Sequence, residues 1–256
     1  MIADCHTHLS CPTSGNAAAT HAEAYRDIDV CFVLSKSGDE NKAVSEYAAS
    51  NSGKTYAFAA FNPVTEKVAQ KAVTSAIPNA GFCGAVLYCG TDGFHPAHSR
   101  AVRFYEAAEK LNIPVFFHNS ASEPTAVLDY AQPFLLDEIA RKFPNLKIII
   151  GNVGQPFLQQ TIAMIAKHPN VYADLTLSPE KIWEVYNVIV SANEASVMDK
   201  LLFGSGFPKA KPGDCIETLL GFNRLLADTN LPTVPRENIR TIIERDIIQT
   251  LGITTR

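Results

Sequence analysis

The chain has 256 residues, of which 46% are hydrophobic and 19% are charged, and its formal net charge is −4. This composition is typical of a globular protein with a substantial core, and it excludes fibrous and disordered classes. The chain has no dense block of lysine and arginine, which argues against a nucleic-acid partner. No apolar run approaches the length of about 18 residues that spans a membrane.

The cysteines indicate a reducing compartment. The six of them, at positions 5, 11, 31, 83, 89 and 215, show no C-x-x-C spacing and lie mostly within apolar runs. They are interpreted as reduced core thiols. The first residues show no cationic segment followed by an apolar stretch, so they do not resemble a secretion signal. Together these features predict a cytoplasmic protein.

Short apolar runs alternate with longer amphipathic segments from end to end. The segment Ser99–Leu111, for example, has apolar residues at helical spacing. Nearly continuous apolar runs are typical of parallel strands that are covered on both faces. Eight runs are predicted as strands: Ile2–Cys5, Val30–Leu34, Tyr56–Phe61, Gly84–Tyr88, Pro114–Phe117, Lys147–Ile150, Val171–Leu175 and Leu201–Phe203.

This alternation predicts the fold. Eight strands, with a helix after nearly every one, indicate a single-domain (β/α)8 TIM barrel over residues 1–256. A doubly wound open sheet is the alternative. The barrel differs from the open sheet because it gathers the C-terminal ends of all eight strands around one centre.

Histidines mark two of these strand ends. The first strand carries an H-x-H pair, and because side chains alternate along a strand, Asp4, His6 and His8 are predicted to share a face. Converging imidazoles can share a transition-metal ion. His118 directly follows the fifth strand, at the end of a barrel where active sites lie. Asp4 lies deeper, and we expect it to support the ligands or to be hydrogen-bonded in the barrel floor.

These motifs, with the segments 143–154 and 202–208, resemble the amidohydrolase superfamily. The resemblance is strongest to the amidohydrolase-related branch of metal-dependent hydrolases and decarboxylases, a family similar to aminocarboxymuconate semialdehyde decarboxylase. It implies that His6, His8 and His118 bind a metal. The fourth strand lacks the lysine that bridges two metals in other branches, so a single ion is implied. Zinc suits three imidazoles with water in the fourth position.

The chain departs from the family pattern at two positions. The family has a histidine where this chain has Asn152, and an aspartate in the strand-8 motif where this chain has Gly206. An amide cannot act as a general base near neutrality, so Asn152 is predicted either to orient a ligand or water or to be a structural turn amide. Gly206 is predicted to leave an unfilled volume in which a substrate carboxylate binds.

Other polar residues at strand ends are weaker candidates. Asp174, near the end of the seventh strand, is the nearest carboxylate that could replace the lost aspartate, although such residues more often cap a turn. No other catalytic residue can be assigned. Tyr88 is predicted to contact substrate. Lys36, His95 and His98 follow strands and could also contact it, with surface placement as the alternative.

The sequence therefore predicts a mononuclear metal-dependent hydrolase or decarboxylase that acts on a small carboxylate, lactone or amide, with an anionic substrate favoured. The alternative is a catalytically degenerate barrel that binds a small ligand or serves as an assembly subunit without turnover. Neither nucleic acid nor a membrane is expected as a partner, and a homodimer is the default assembly.

Overall fold

The computed structural model describes residues 1–9, 16–65, 81–176 and 178–253, so Cys11 lies outside the described residues. The strands are β1 (Ala3–Thr7), β2 (Val30–Leu34), β3 (Thr55–Ala60), β4 (Gly84–Leu87), β5 (Val115–Phe117), β6 (Ile148–Ile150), β7 (Val171–Thr176) and β8 (Leu201–Gly204). The α-helices are α1 (Ala17–Ala24), α2 (Asn41–Ser50), α3 (Ser99–Lys110), α4 (Asp137–Lys142), α5 (Leu158–Lys167), α6 (Ile182–Glu194), α7 (Pro212–Leu220), α8 (Arg236–Ile243) and α9 (Ile247–Leu251).

The eight strands form one parallel sheet in the order β1 to β8. The sheet closes where β8 returns to β1, because a parallel bridge joins Thr7 to Phe207. There the backbone N–H of His8 donates to the Phe207 carbonyl, and that of Gly206 donates to the His6 carbonyl, both at 2.9 Å. The closed barrel confirms the predicted fold and excludes the open sheet. Among the described residues, no helix is long and apolar enough to cross a membrane.

All eight predicted strands are present, with shifts of one or two residues at their ends. The largest shift is in β1, which continues through the polar residues His6 and Thr7, because Thr7 still pairs with Val33 of β2. Apolar composition locates a buried strand well, but it underestimates the length of a strand whose last residues are polar.

Two apolar layers hold the barrel. The larger one packs the helices onto the outer faces of the strands. The smaller one fills the interior, with members such as Phe32, Phe58, Phe116 and Leu202. Ile247 of α9 packs against this interior layer, so the last helix covers the N-terminal ends of the strands and leaves the C-terminal ends for the site.

A β-bulge in β1 changes which side chains face the barrel interior. Asp4 pairs with Cys31 and Thr7 pairs with Val33, so β1 has one more residue than β2 between these two pairs. Before the bulge, Cys5 belongs to the interior layer, whereas Asp4 contacts Tyr25, the residue directly after α1. The prediction that Asp4 shares a face with His6 and His8 is therefore wrong, because the extra residue interrupts the alternation.

Candidate metal centre

The structure brings the three predicted imidazoles together at the C-terminal end of the barrel. His6 lies near the end of β1, His8 directly follows that strand, and His118 follows β5 on the opposite side. The ring centroids lie 5.0 to 5.7 Å apart. One ring nitrogen from each residue lies within 4.8 Å of the other two, and His6 Nε2 is 3.2 Å from His8 Nε2.

The outer nitrogen of each ring is held by the protein. His6 Nδ1 donates to Asp174 Oδ2 at 2.6 Å, and His8 Nδ1 donates to the Leu34 carbonyl at 2.8 Å. Because these partners accept hydrogen bonds, both Nδ1 atoms carry hydrogen and both Nε2 atoms keep a free lone pair. His118 Nδ1 lies 2.8 Å from Ser120 Oγ, and when this hydroxyl accepts from Nδ1 the Nε2 atom of His118 also keeps a lone pair.

This donor set fits a tetrahedral metal ion. Two Nε2 lone pairs that face each other at 3.2 Å repel unless a proton or a metal ion lies between them. A Zn–N bond of about 2.0 Å gives a tetrahedral edge of about 3.3 Å, which matches this distance. Burial, together with the neighbouring His6, lowers the pKa of His8 and His118 well below the usual histidine value, so both stay in the neutral form that binds metal.

Asp174 binds the His6 ring at Nδ1, on the side that faces away from the other two imidazoles. The carboxylate is fully buried, and it also accepts hydrogen bonds from the Thr176 hydroxyl at 2.6 Å and the Asn152 backbone N–H at 3.0 Å. A Cβ at Gly204 would lie 2.1 Å from Asp174 Oδ1, so glycine at this position of β8 makes room for the carboxylate. Asp174 therefore lies against Nδ1 of His6, and not against the Nε2 atoms that face the centre.

The two positions that depart from the family pattern are occupied by local contacts. Asn152 adopts a left-handed conformation with φ of 49°, and its side-chain amide donates to the Asn119 carbonyl. A Cβ at Gly206 would lie 2.6 Å from Thr176 Cγ2. The prediction of an unfilled volume beside Gly206 is therefore wrong, because the Thr176 methyl group already occupies the first side-chain position. Substrate contact by Asn152 or Gly206 stays a prediction.

Tyr88 lies beside the centre, with its ring 4.7 Å from that of His118. Its hydroxyl donates to the Ser35 carbonyl at 2.9 Å, so the ring is the part that faces His118. His95 and His98 instead form local contacts: His98 accepts from the Arg100 N–H at the start of α3, and His95 accepts from the Ala97 N–H. These two contacts support the surface alternative for both histidines.

Two lysines make the mouth of the barrel positive. Lys36 follows β2 and Lys209 follows β8, and both are exposed. Their charges contribute to the lowered pKa values of His8 and His118. Within the described part of the chain, neither ammonium group has a hydrogen-bonding or ion-pair partner. Sequence reasoning missed Lys209, although its place just after the eighth strand is the same signal that singled out Lys36.

Asp4 occupies a buried polar network between the barrel and α1. Its carboxylate accepts hydrogen bonds from the backbone N–H groups of His6 at 3.0 Å and Ser205 at 3.1 Å, and from the Tyr25 hydroxyl at 2.8 Å. Burial raises its pKa to about 6. Asp4 therefore has the expected hydrogen-bonding role. It lies on the outer side of the barrel wall, and not in the barrel floor.

A closed eight-stranded barrel with three converging histidines at its C-terminal end defines the class: a TIM barrel whose imidazoles could hold a metal ion. The chain belongs to the amidohydrolase family, whose sequence model matches residues 32–242. This range includes His118, Asn152 and Gly206 but begins after His6 and His8. The evidence that His6 and His8 belong to the same site is therefore their position in the fold. The family resemblance inferred from the motifs is thus confirmed.

Solved structures share the whole fold at low sequence identity. A TIM-barrel protein from Bordetella bronchiseptica is 19% identical, with 93% of this chain and 84% of that chain covered and a TM-score of 0.70. A probable 2-pyrone-4,6-dicarboxylic acid hydrolase from Acinetobacter baumannii is 15% identical (98% and 99% covered, TM-score 0.68). A 2,6-dihydroxybenzoate decarboxylase from Rhizobium is also 15% identical (98% and 98%, 0.70). No curated protein sequence matches the chain.

Proposed function

We propose that this protein is a mononuclear metal-dependent hydrolase or decarboxylase that acts on a small anionic substrate. The observation that carries the proposal is the convergence of one nitrogen each from His6, His8 and His118, with the outer nitrogens bound to the protein. Zinc fits this neutral nitrogen set best. When bound, the ion supplies Lewis-acid polarisation of substrate or water.

The chain's own residues favour an anionic substrate. The ammonium groups of Lys36 and Lys209 are at the mouth, and the cluster contains no carboxylate among the described residues. A mouth of one charge sign attracts ligands of the opposite sign. The ring of Tyr88 forms an apolar wall beside His118, against which the uncharged part of a substrate would pack.

Proton transfer is the step for which the site is least equipped. Asp174 is fully buried behind His6, so it can influence a proton at the centre only through the imidazole. The amide of Asn152 cannot take up a proton near neutrality. The substrate or solvent must therefore supply or accept the proton in either reaction, because neither Asp174 nor Asn152 reaches the centre with a group that can exchange one.

A degenerate barrel that binds a ligand without turnover is the second candidate. It is favoured by one observation: local contacts occupy both positions where the family pattern has proton-handling groups, since Asn152 binds Asn119 and Thr176 abuts Gly206. Under this candidate the centre and the positive mouth would persist, but no reaction would follow binding.

Metal analysis tests the proposal first. Protein purified without added metal or chelator should contain about one equivalent of transition metal, and His118→Gln should lose it while His95→Gln, a surface control, retains it. Protein that is empty and gains no thermal stability from Zn²⁺ or Mn²⁺ would contradict the proposal.

Turnover then separates the two candidates. The metal-loaded protein should be incubated with small aromatic acids, lactones and amides, with release of carbon dioxide or acid as the readout. Turnover that disappears in His118→Gln supports the enzyme. Binding of an acid without any turnover supports the degenerate barrel.

A further inference from the structure

A second groove lies at the end of the barrel opposite the three imidazoles. Its volume is about 650 Å³, within the range of small-molecule sites. It is lined by residues where β7 and β8 begin and where α8 is joined to α9. The groove therefore shares no residue with the metal centre, which is built where strands end.

The floor of the groove contains a nearly buried tyrosine with an unused hydroxyl. Tyr172 is only 9% exposed, and within the described residues its hydroxyl makes no hydrogen bond. Its ring is in contact with Lys200, whose Nζ lies 4.9 Å from the ring centroid and donates to the Pro169 carbonyl. The hydroxyl itself is not among the buried atoms that lack a partner, so it opens into the groove, where it is available to donate a hydrogen bond to a ligand.

Arg245 adds a second, fixed cation to the floor. Its Nε donates to the Leu201 carbonyl at 3.2 Å and its Nη2 to the Met198 carbonyl at 3.3 Å. These two bonds hold the guanidinium group at the start of β8. Its Nη1 has no partner among the described residues, so it can donate to an oxyanion in the groove.

The rim of the groove is acidic. Asp199, Glu244 and Asp246 line it and are exposed, whereas Lys200 and Arg245 are partly buried. Glu244 is paired with Arg240 at 2.7 Å, and Asp246 accepts from the Gln249 N–H at 2.9 Å. Asp199 has neither an ion pair nor a hydrogen bond in the described part of the chain.

This charge arrangement selects against simple ions. A simple anion would meet the carboxylates of Asp199 and Asp246 at the rim, and a simple cation would meet Lys200 and Arg245 at the floor. We propose that the groove is a second binding site, for a small zwitterion of the amino-acid class. Arg245 and Tyr172 bind its carboxylate, and Asp199 binds its ammonium group.

A thermal-melting screen of the holoprotein with the standard L-amino acids at millimolar concentration tests the proposal. At least one should raise the melting temperature, because a ligand that binds only the folded state stabilises it. Calorimetry with the best amino acid should then show saturable binding. Its analogues without the carboxylate or without the ammonium group should bind at least about tenfold more weakly. If no amino acid stabilises or binds, the proposal is wrong.

Conservative variants locate the site. Tyr172→Phe removes only the unused hydroxyl, and Asp199→Asn removes only a rim charge, so both should fold. Each should weaken binding about tenfold. The matched changes Tyr186→Phe on α6 and Asp129→Asn near the opposite end of the barrel should leave binding unchanged. Binding that survives both groove variants, or that disappears when a chelator removes metal, would place the amino acid elsewhere and overturn the proposal.

Discussion

At the scale of single residues, Asp174 and Gly204 act as a pair across neighbouring strands. The carboxylate sits 2.6 Å from His6 Nδ1 because β8 presents no side chain at position 204. A carboxylate on the outer nitrogen of a metal-binding histidine fixes the ring and increases its basicity. The small residue on β8 is thus as necessary for the His6 geometry as the acid on β7.

Gly204→Ala tests this pair. The added methyl group would lie 2.1 Å from Asp174 Oδ1 and 3.0 Å from His6 Cβ, so the carboxylate must move away from His6. We expect zinc affinity to fall about 10- to 100-fold. We also expect the unfolding free energy of the metal-free protein to fall by about 1–3 kcal/mol. Chelator competition measures the first quantity and denaturant titration the second.

Gly213→Ala is the matched control, because an added Cβ there meets nothing within 4 Å and the residue lies in α7. It should leave zinc affinity unchanged and should not lower stability, since alanine favours helix. Equal zinc affinity in Gly204→Ala and the native protein would show that Asp174 does not hold His6 for the ion.

At the scale of the element, the bulge in β1 sets the direction of the His6 and His8 side chains. Without the extra residue, His6 would continue the alternation of Asp4 and face α1. Asp4 stabilises the bulge, because its carboxylate accepts from the His6 N–H on β1 and from the Ser205 N–H at the end of β8. The Tyr25 hydroxyl connects the same carboxylate to α1.

Asp4→Asn should disturb both the bulge and the metal ligands. The amide nitrogen cannot accept a hydrogen bond, so the Tyr25 hydroxyl must donate to Ser205 Oγ instead, and the bonds that remain to residue 4 are no longer made to a charged group. This change should lower the unfolding free energy by about 1–3 kcal/mol. Zinc affinity should also fall about 10-fold or more, because His6 and His8 depend on this backbone. Denaturant titration and chelator competition measure the two effects.

Asp29→Asn separates strand stability from ligand geometry. The Asp29 carboxylate accepts a hydrogen bond from the Ile2 N–H at 2.7 Å, just before the start of β1. The substitution therefore weakens a carboxylate-to-backbone hydrogen bond that lies far from the bulge. It should lower stability without changing zinc affinity. The same pattern in Asp4→Asn would mean that Asp4 stabilises the fold but does not position the ligands.

The strands could be predicted from the sequence because their apolar runs are local signals, and Ile148–Ile150 is apolar throughout. Barrel closure followed from their number, and the position of His118 followed from its place after β5. The bulge could not be predicted. It depends on the contact between Asp4 and Ser205, which are 201 positions apart, and no short-range pattern records that contact.

At the scale of the whole molecule, the barrel separates two chemistries at its two ends. The imidazoles join β1 to β5 across the C-terminal end, whereas the zwitterion groove lies between β7, β8 and the last two helices. The interior apolar layer fills the space between the two ends. A bound ligand therefore raises the free energy of local opening at its own end of the barrel. It does not change the free energy of local opening at the other end.

Hydrogen exchange measured with and without zinc tests this separation. Bound zinc would link opposite strands, so amides near the centre, such as those of His8 and His118, should exchange more slowly when it is added. Amides of α9, which open locally at the other end, should exchange at the same rate in both states. His118→Gln should abolish the protection. Protection confined to α9, or absent from both β1 and β5, would show that the ion binds away from the three imidazoles.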